Sequence, residues 1–188
     1  MKFRIATILI TFTVFLSLMI GIKQWTLNTG TVIVLETQPI DPRSLFRGDY
    51  VRLNYSISNL KPSTLEGDNN FEKHEKIYVA LKQQGKYWVA RSISHSKPGS
   101  NNLFLKGKVQ YASESFWNQE TGKSENIANI NVKYGIENYF VPENEGLELE
   151  RRDNDQIVDI RIAVDKFGKA GIKEVLVNNQ SRYIERLF

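Results

Sequence analysis

From Ile5 to Ile22 the chain reads IATILITFTVFLSLMIGI, 18 residues without a charge, proline, asparagine or glutamine. As a helix rising 1.5 Å per residue this run spans about 27 Å, close to the roughly 30 Å hydrocarbon core of a bilayer. Its hydroxyls, Thr7, Thr11, Thr13 and Ser17, can bond to carbonyls of their own helix. A helix buried in a soluble core would instead carry a polar face. The competing reading is a cleaved signal peptide, because the basic start with Lys2 and Arg4 suits both. Signal peptides have an apolar run of about 7–15 residues and an A-x-A-like exit. This run is longer and leaves through Lys23-Gln24-Trp25-Thr26, where Trp25 fits an interfacial anchor. Lys2 and Arg4 stand before the run against the single Lys23 after it, so the positive-inside rule puts the N-terminus in the cytoplasm. The expected organisation is a membrane anchor over residues 1–24, crossing through 5–22, and an extracytoplasmic domain over 25–188.

Beyond the anchor the apolar pattern shifts to a period of two, the signature of strands with one buried face. Strands are predicted at TVIVLET (31–37), DYVRLNYSI (49–57), KIYVALK (76–82), KYWVARSI (86–93), LFLKGKVQY (103–111), NIANINVKY (126–134), QIVDIRIAV (156–164) and GIKEVLVN (171–178). The short links Gln83-Gln84-Gly85 and DKFGKA (165–170) suit hairpins. The polar stretch 58–75 reads as a wide loop or a loop with a short helix. One short helix is expected after Phe140, with Pro142 at its first position and Glu143 and Glu145 near its positive end. The fold class is therefore mainly β: an antiparallel β-sandwich or partly open β-barrel of about eight strands, behind a single transmembrane helix.

Charge and residue usage exclude several functions. Apart from Lys2 and Arg4, 23 basic residues face 21 acidic ones, interleaved in EKHEK (72–76), LELERRDND (147–155) and SRYIERL (181–187). No one-signed block exists to follow a phosphate backbone, so no nucleic-acid partner is expected. The absence of cysteine excludes disulfides, thiolate metal sites and a cysteine nucleophile. His74 and His95 lie far apart in polar stretches without metal-ligand spacing, so neither a metal nor a cofactor is expected.

Two segments carry more than a core requires. In QPIDPRSLFRGDYVRLNY (38–55), Asp41-Pro42 starts a turn, Gly48 permits an unusual backbone angle and Asp49 can tie the turn down before Tyr50 and Tyr55 enter the strand. A turn-and-strand staple accounts for these residues but not for Arg43, Arg47 and Arg52 beside two aspartates, a combination suited to a salt-bridged or ligand-facing loop. In VKYGIENYFVPENEGLELE (132–150), Tyr134, Tyr139 and Phe140 offer contact area, Gly135 allows a bend, and Glu137 and Glu143 supply carboxylates. Carboxylates beside aromatic rings can line a sugar cleft; they can equally end a strand and cap a helix. Because the arginines need carboxylate partners if partly buried, the two segments are expected to meet in one polar and aromatic site. Its candidate binding residues are Asp41, Arg43, Arg47, Gly48, Asp49, Tyr50, Tyr55, Tyr134, Gly135, Glu137, Tyr139, Phe140, Pro142 and Glu143.

The string Gly48-Asp49-Tyr50-Val51-Arg52-Leu53-Asn54-Tyr55 resembles the signature of the bacterial GDYXXLXY protein family, with every specified position present. Asp41-Pro42-Arg43 upstream, and Tyr134-Gly135-Ile136-Glu137, Tyr139-Phe140-Val141-Pro142-Glu143 and Gly146 downstream, are also similar to the family's pattern. The resemblance runs from about residue 31 to the C-terminus. It implies a protein anchored in the bacterial cell membrane, often encoded beside multi-pass membrane proteins, and supplies no catalytic mechanism. The favoured expectation is a non-enzymatic binding or assembly module acting with a multi-pass membrane protein; no class of small-molecule ligand is implied. The alternative is an envelope hydrolase. It would use Asp49 with Glu137 or Glu143 as acid and base, about 5–9.5 Å apart, or Ser44 as a nucleophile in a turn resembling that of signal peptidases. Against the latter, Ser44 lacks the Ser-Met-x-Pro context and no downstream lysine stands in a matching motif.

Overall fold

The computed structural model describes residues 2–38, 50–99, 102–113, 116–118, 123–125, 129–140 and 157–184. Its first element, α1 (Lys2–Thr29), is the α-helix among them. None of the side chains from Ile5 to Ile22 is buried, and the helix is long and apolar enough to cross a membrane. Its threonines turn their hydroxyls back along the helix, Thr7 to the Phe3 carbonyl at 2.9 Å and Thr13 to the Leu9 carbonyl at 2.8 Å. That is the bonding expected where water is not available.

The helix does not stop at residue 24. It runs to Thr29, and its last turn packs on the β-domain: Thr26 and Leu27 are buried, and Thr26 Oγ1 donates to Asp165 Oδ2 at 3.3 Å. One residue, Gly30, links helix to strand. A Cβ there would come within 2.6 Å of the Thr26 carbonyl oxygen and 2.9 Å of the Val164 nitrogen, so only glycine lets the chain turn so closely against its neighbour.

Fifteen strands are formed among the described residues: β1 (Thr31–Gln38), β2 (Tyr50–Arg52), β3 (Asn54–Tyr55), β4 (Asn59–Leu60), β5 (Glu66–Gly67), β6 (Lys76–Gln84), β7 (Tyr87–Ser94) and β8 (Phe104–Ala112), then β9 (Phe116–Asn118), β10 (Lys123–Glu125), β11 (Ile130–Lys133), β12 (Asn138–Phe140), β13 (Val158–Val164), β14 (Ala170–Val177) and β15 (Gln180–Ile184). Eight of them have four or more residues. The two larger sheets have the orders β15-β14-β13-β1-β3 and β4-β11-β8-β6-β7-β5, β10-β9 and β12-β2 are separate two-stranded sheets, and the fold includes a half-barrel. All pairings are antiparallel except β5 with β7. The mainly β architecture behind one apolar helix is as the alternation predicts. The core lies between the sheets, with Leu35, Ile77, Leu105 and Ile160 fully buried.

Differences from the sequence pattern have local causes. The predicted strand 49–57 is broken into β2 and β3 because Leu53 gives its N–H to the Glu137 carbonyl at 2.7 Å while Thr37 and Gln38 pair with Tyr55 and Asn54. Its two halves thus serve different neighbours. The polar stretch 58–75 holds β4, β5 and a 3-10 turn at Pro62–Thr64, where proline fits the start of a helical turn. Strand β15 was hidden by interleaved charges: its burial pattern is almost wholly exposed, as an edge strand permits. The short helix expected after Phe140 falls outside the described residues.

Candidate functional site

The described parts of the two motifs do meet, as a strand pair followed by two reciprocal hydrogen bonds. β12 lies antiparallel to β2, with Asn138 opposite Arg52, Tyr139 opposite Val51 and Phe140 opposite Tyr50. Next to this pair Tyr55, fully buried, donates its hydroxyl to the Ile136 carbonyl at 2.5 Å. Tyr134, also buried, donates its hydroxyl to the Ile57 carbonyl at 2.7 Å. Each tyrosine therefore bonds to the carbonyl two residues beyond the other tyrosine. A buried phenol needs such a partner, and a carbonyl between strands needs a donor, so the two contacts satisfy four groups at once.

Glu137 closes the turn that makes this geometry possible. Its Oε1 accepts the Tyr134 N–H at 2.5 Å and its Oε2 accepts the Gly135 N–H at 3.1 Å. Between them Gly135 adopts φ 85°, which a side-chain-bearing residue resists. On the other motif Ser58 supports the turn after Tyr55, accepting the Tyr55 N–H on Oγ at 3.2 Å and donating its own N–H to the Tyr55 carbonyl at 2.9 Å. Burial first, and then the nearby Glu137 charge, push both phenols well above their ordinary pKa. They are held as neutral hydrogen-bond donors.

Charge pairing is not what joins the described segments. The Glu137 carboxylate is turned to backbone N–H groups, and Arg52 is exposed. As a general acid or base Glu137 would have to surrender bonds that shape its own turn. Tyr139 is buried with its ring 6.5 Å from that of Tyr183, whereas Phe140 is exposed. Asp41, Arg43, Ser44, Arg47, Gly48, Asp49, Pro142 and Glu143 lie outside the described residues.

A second polar cluster escaped the sequence reading. Asp159, on β13, is fully buried and ion-paired with Lys86 from the β6–β7 turn, which also bonds to Asn179 in the β14–β15 turn. Tyr87 adds its hydroxyl to Asp159 Oδ2 at 3.4 Å, and Asp159 Oδ1 has no hydrogen-bond partner among the described residues. The cluster ties the β6–β7 hairpin of one sheet to the middle of the other. An aspartate flanked by Val158 and Ile160, in a strand whose other residues except Arg161 are apolar, was the available sign of it. No group of three or more metal-ligating side chains is found among the described residues.

A search of curated proteins and a search of solved structures give no match. A family model described as GDYXXLXY protein matches residues 12–175, which take in the larger part of the apolar helix, both motifs and nearly all of the described strands. The chain belongs to the GDYXXLXY protein family.

Proposed function

We propose that the protein is a single-pass membrane-anchored module of the bacterial cell envelope. Its N-terminus is cytoplasmic, its β-domain is extracytoplasmic, and it binds or assembles with a multi-pass membrane protein. The observation that carries this reading is the junction: α1 enters β1 through one residue and its last turn is packed on the domain by Thr26 and Leu27. A domain on a long linker samples many heights and orientations, whereas this one is held close above the bilayer. Such fixed placement suits lateral contact with the outer loops of a membrane protein. Supporting it from another side, Tyr55, Tyr134 and Glu137 commit their polar groups to the fold, so the described half of the motif acts as a brace.

The test is crosslinking in the native membrane followed by affinity purification in mild detergent. Recovery of a defined multi-pass partner is the expected result, and recovery of the protein alone would reject the assembly role. A reporter fused after Phe188 should report a non-cytoplasmic location. A mature N-terminus near Trp25 would replace the anchor by a signal peptide.

A further inference from the structure

The hairpin joining β13 to β14 lies beside the end of the membrane helix, and the strand directions require it. Thr31, the first residue of β1, is paired with Val164, the last residue of β13, and the two strands are antiparallel. Residues 165–169 therefore continue past the start of β1, back toward α1. The Thr26 bond to Asp165 is the contact that results. Thr26 is four residues beyond Ile22, about 6 Å along a helix axis. A bilayer's polar layer is about 5–7 Å thick on each side of its hydrocarbon core. With Ile22 at the edge of the core, the hairpin sits at the depth of the lipid headgroups.

Its side chains match that position. Phe167, at the tip, is 59% exposed. Lys166 and Lys169 flank it and are exposed, and Lys97, from the loop after β7, brings its Nζ to 5.3 Å from the Phe167 ring centre. Among the described residues none of these three lysines makes an ion pair with a carboxylate. The one acid of the hairpin, Asp165, is committed elsewhere: its Oδ1 accepts the N–H groups of Phe167 at 2.8 Å and Lys169 at 2.9 Å, and its Oδ2 accepts from Thr26. The tip is also fixed from below, since the Gly168 carbonyl accepts the Lys106 N–H at 2.8 Å. An exposed aromatic ring among unneutralised lysines, on a hydrogen-bonded turn joined through Asp165 to Thr26, the residue after Trp25, is the chemistry of a membrane-interface contact.

We infer that the hairpin 165–169, with Lys97, is a second membrane-contact site that docks onto anionic lipid headgroups of the bilayer holding α1. Phe167 enters the boundary between headgroups and acyl chains, and Lys97, Lys166 and Lys169 engage lipid phosphates. Helix and hairpin together then set which side of the domain leans onto the bilayer, which a single helix leaves open. This inference rests on the anchored reading above.

Because the chain has no cysteine, a nitroxide can be attached at one introduced site in the full-length protein. Phe167→Cys, Leu16→Cys in the helix and Gln180→Cys at the start of β15, beyond the far end of β14, are compared in phosphatidylglycerol-containing and in pure phosphatidylcholine bilayers, reading oxygen and nickel-chelate accessibility. The expected result is burial at 16 in both bilayers, interfacial burial at 167 in the anionic one, and water exposure at 180. Each lysine near an anionic surface contributes about fivefold to docking, so Lys97→Glu, Lys166→Glu and Lys169→Glu combined should weaken the docked state roughly a hundredfold or more. A label at 167 as water-exposed as that at 180, with 16 still buried, overturns the contact while leaving the anchor intact. Equal depth at 167 in neutral and anionic bilayers overturns the anionic recognition. Water exposure at 16 rejects the anchor itself, and the contact with it.

Discussion

The tyrosine brace and the Phe167 hairpin both combine aromatic and charged side chains, in opposite senses. At the brace, the aromatic rings of Tyr55 and Tyr134 are buried and their hydroxyls are spent on carbonyls of the facing segment. At the hairpin, the ring of Phe167 and the lysines around it face outward while the backbone and Asp165 hold the turn. An identical count of aromatic and charged residues would not separate the two. What separates them is where the polar atoms go. Inward bonding makes a stabilising joint, and outward display makes a surface for something else to cover.

That contrast is broken most directly by removing a brace tyrosine. Tyr134→Ala should cost about 3–5 kcal/mol, the range for deleting a buried aromatic ring, read as a lower denaturant midpoint of the detergent-solubilised protein. A loss under about 1 kcal/mol would mean the joint is not structural.

Alkaline pH tests the same joint without a ring deletion. In the unfolded chain each tyrosine ionises near pH 10, while burial raises both folded values. Above pH 10 the unfolded state therefore holds fewer protons than the folded one, and stability falls as pH rises. The slope approaches about 1.4 kcal/mol per pH unit for each tyrosine until its folded value is passed. Below pH 10 this contribution is complete. Tyr55→Phe should make the decline shallower, and an unchanged slope would remove Tyr55 from the groups that resist ionisation.

Gly135→Ala sharpens the comparison by touching the turn alone. Its φ of 85° disfavours any Cβ, yet nothing lies within 4 Å of where that atom would sit. The expected cost is about 1–2 kcal/mol from backbone strain, without a packing loss. Calorimetry showing no change would mean that the turn relaxes to another angle. The smallest effect belongs to the hairpin: Phe167→Ser should alter stability in detergent by no more than about 0.5 kcal/mol, as an exposed side chain does. A larger drop in midpoint would recast Phe167 as part of the core.

Much of the architecture was legible along the chain because it depends on local repetition. The apolar run 5–22 can satisfy its backbone in a hydrocarbon environment only as a helix, and the alternation in 76–82, 86–93 and 156–164 can bury one face only as strands. The strands found there, β6, β7 and β13, lie within a few residues of those bounds. The hairpin at 165–170 followed from its turn residues. Less legible was the reason for the meeting of the motifs. Charge complementarity between Arg43, Arg47, Arg52 and the glutamates suggested it; among the described residues Glu137 bonds to its own turn, and the contact there is made by strand pairing and phenol hydroxyls.

The sequence by itself determined that this chain has one apolar helix, a β-domain and two motifs rich in turn and aromatic residues, because propensity and periodicity act over a few neighbours. Only the tertiary structure decided that Tyr55 reaches the carbonyl of Ile136, 81 residues away, that Lys86 pairs with Asp159, and that Asp165 lies beside Thr26. Those contacts depend on which strands become neighbours and in what register. Register is a property of the whole sheet, set when many buried faces are satisfied together, and no short window of residues carries it.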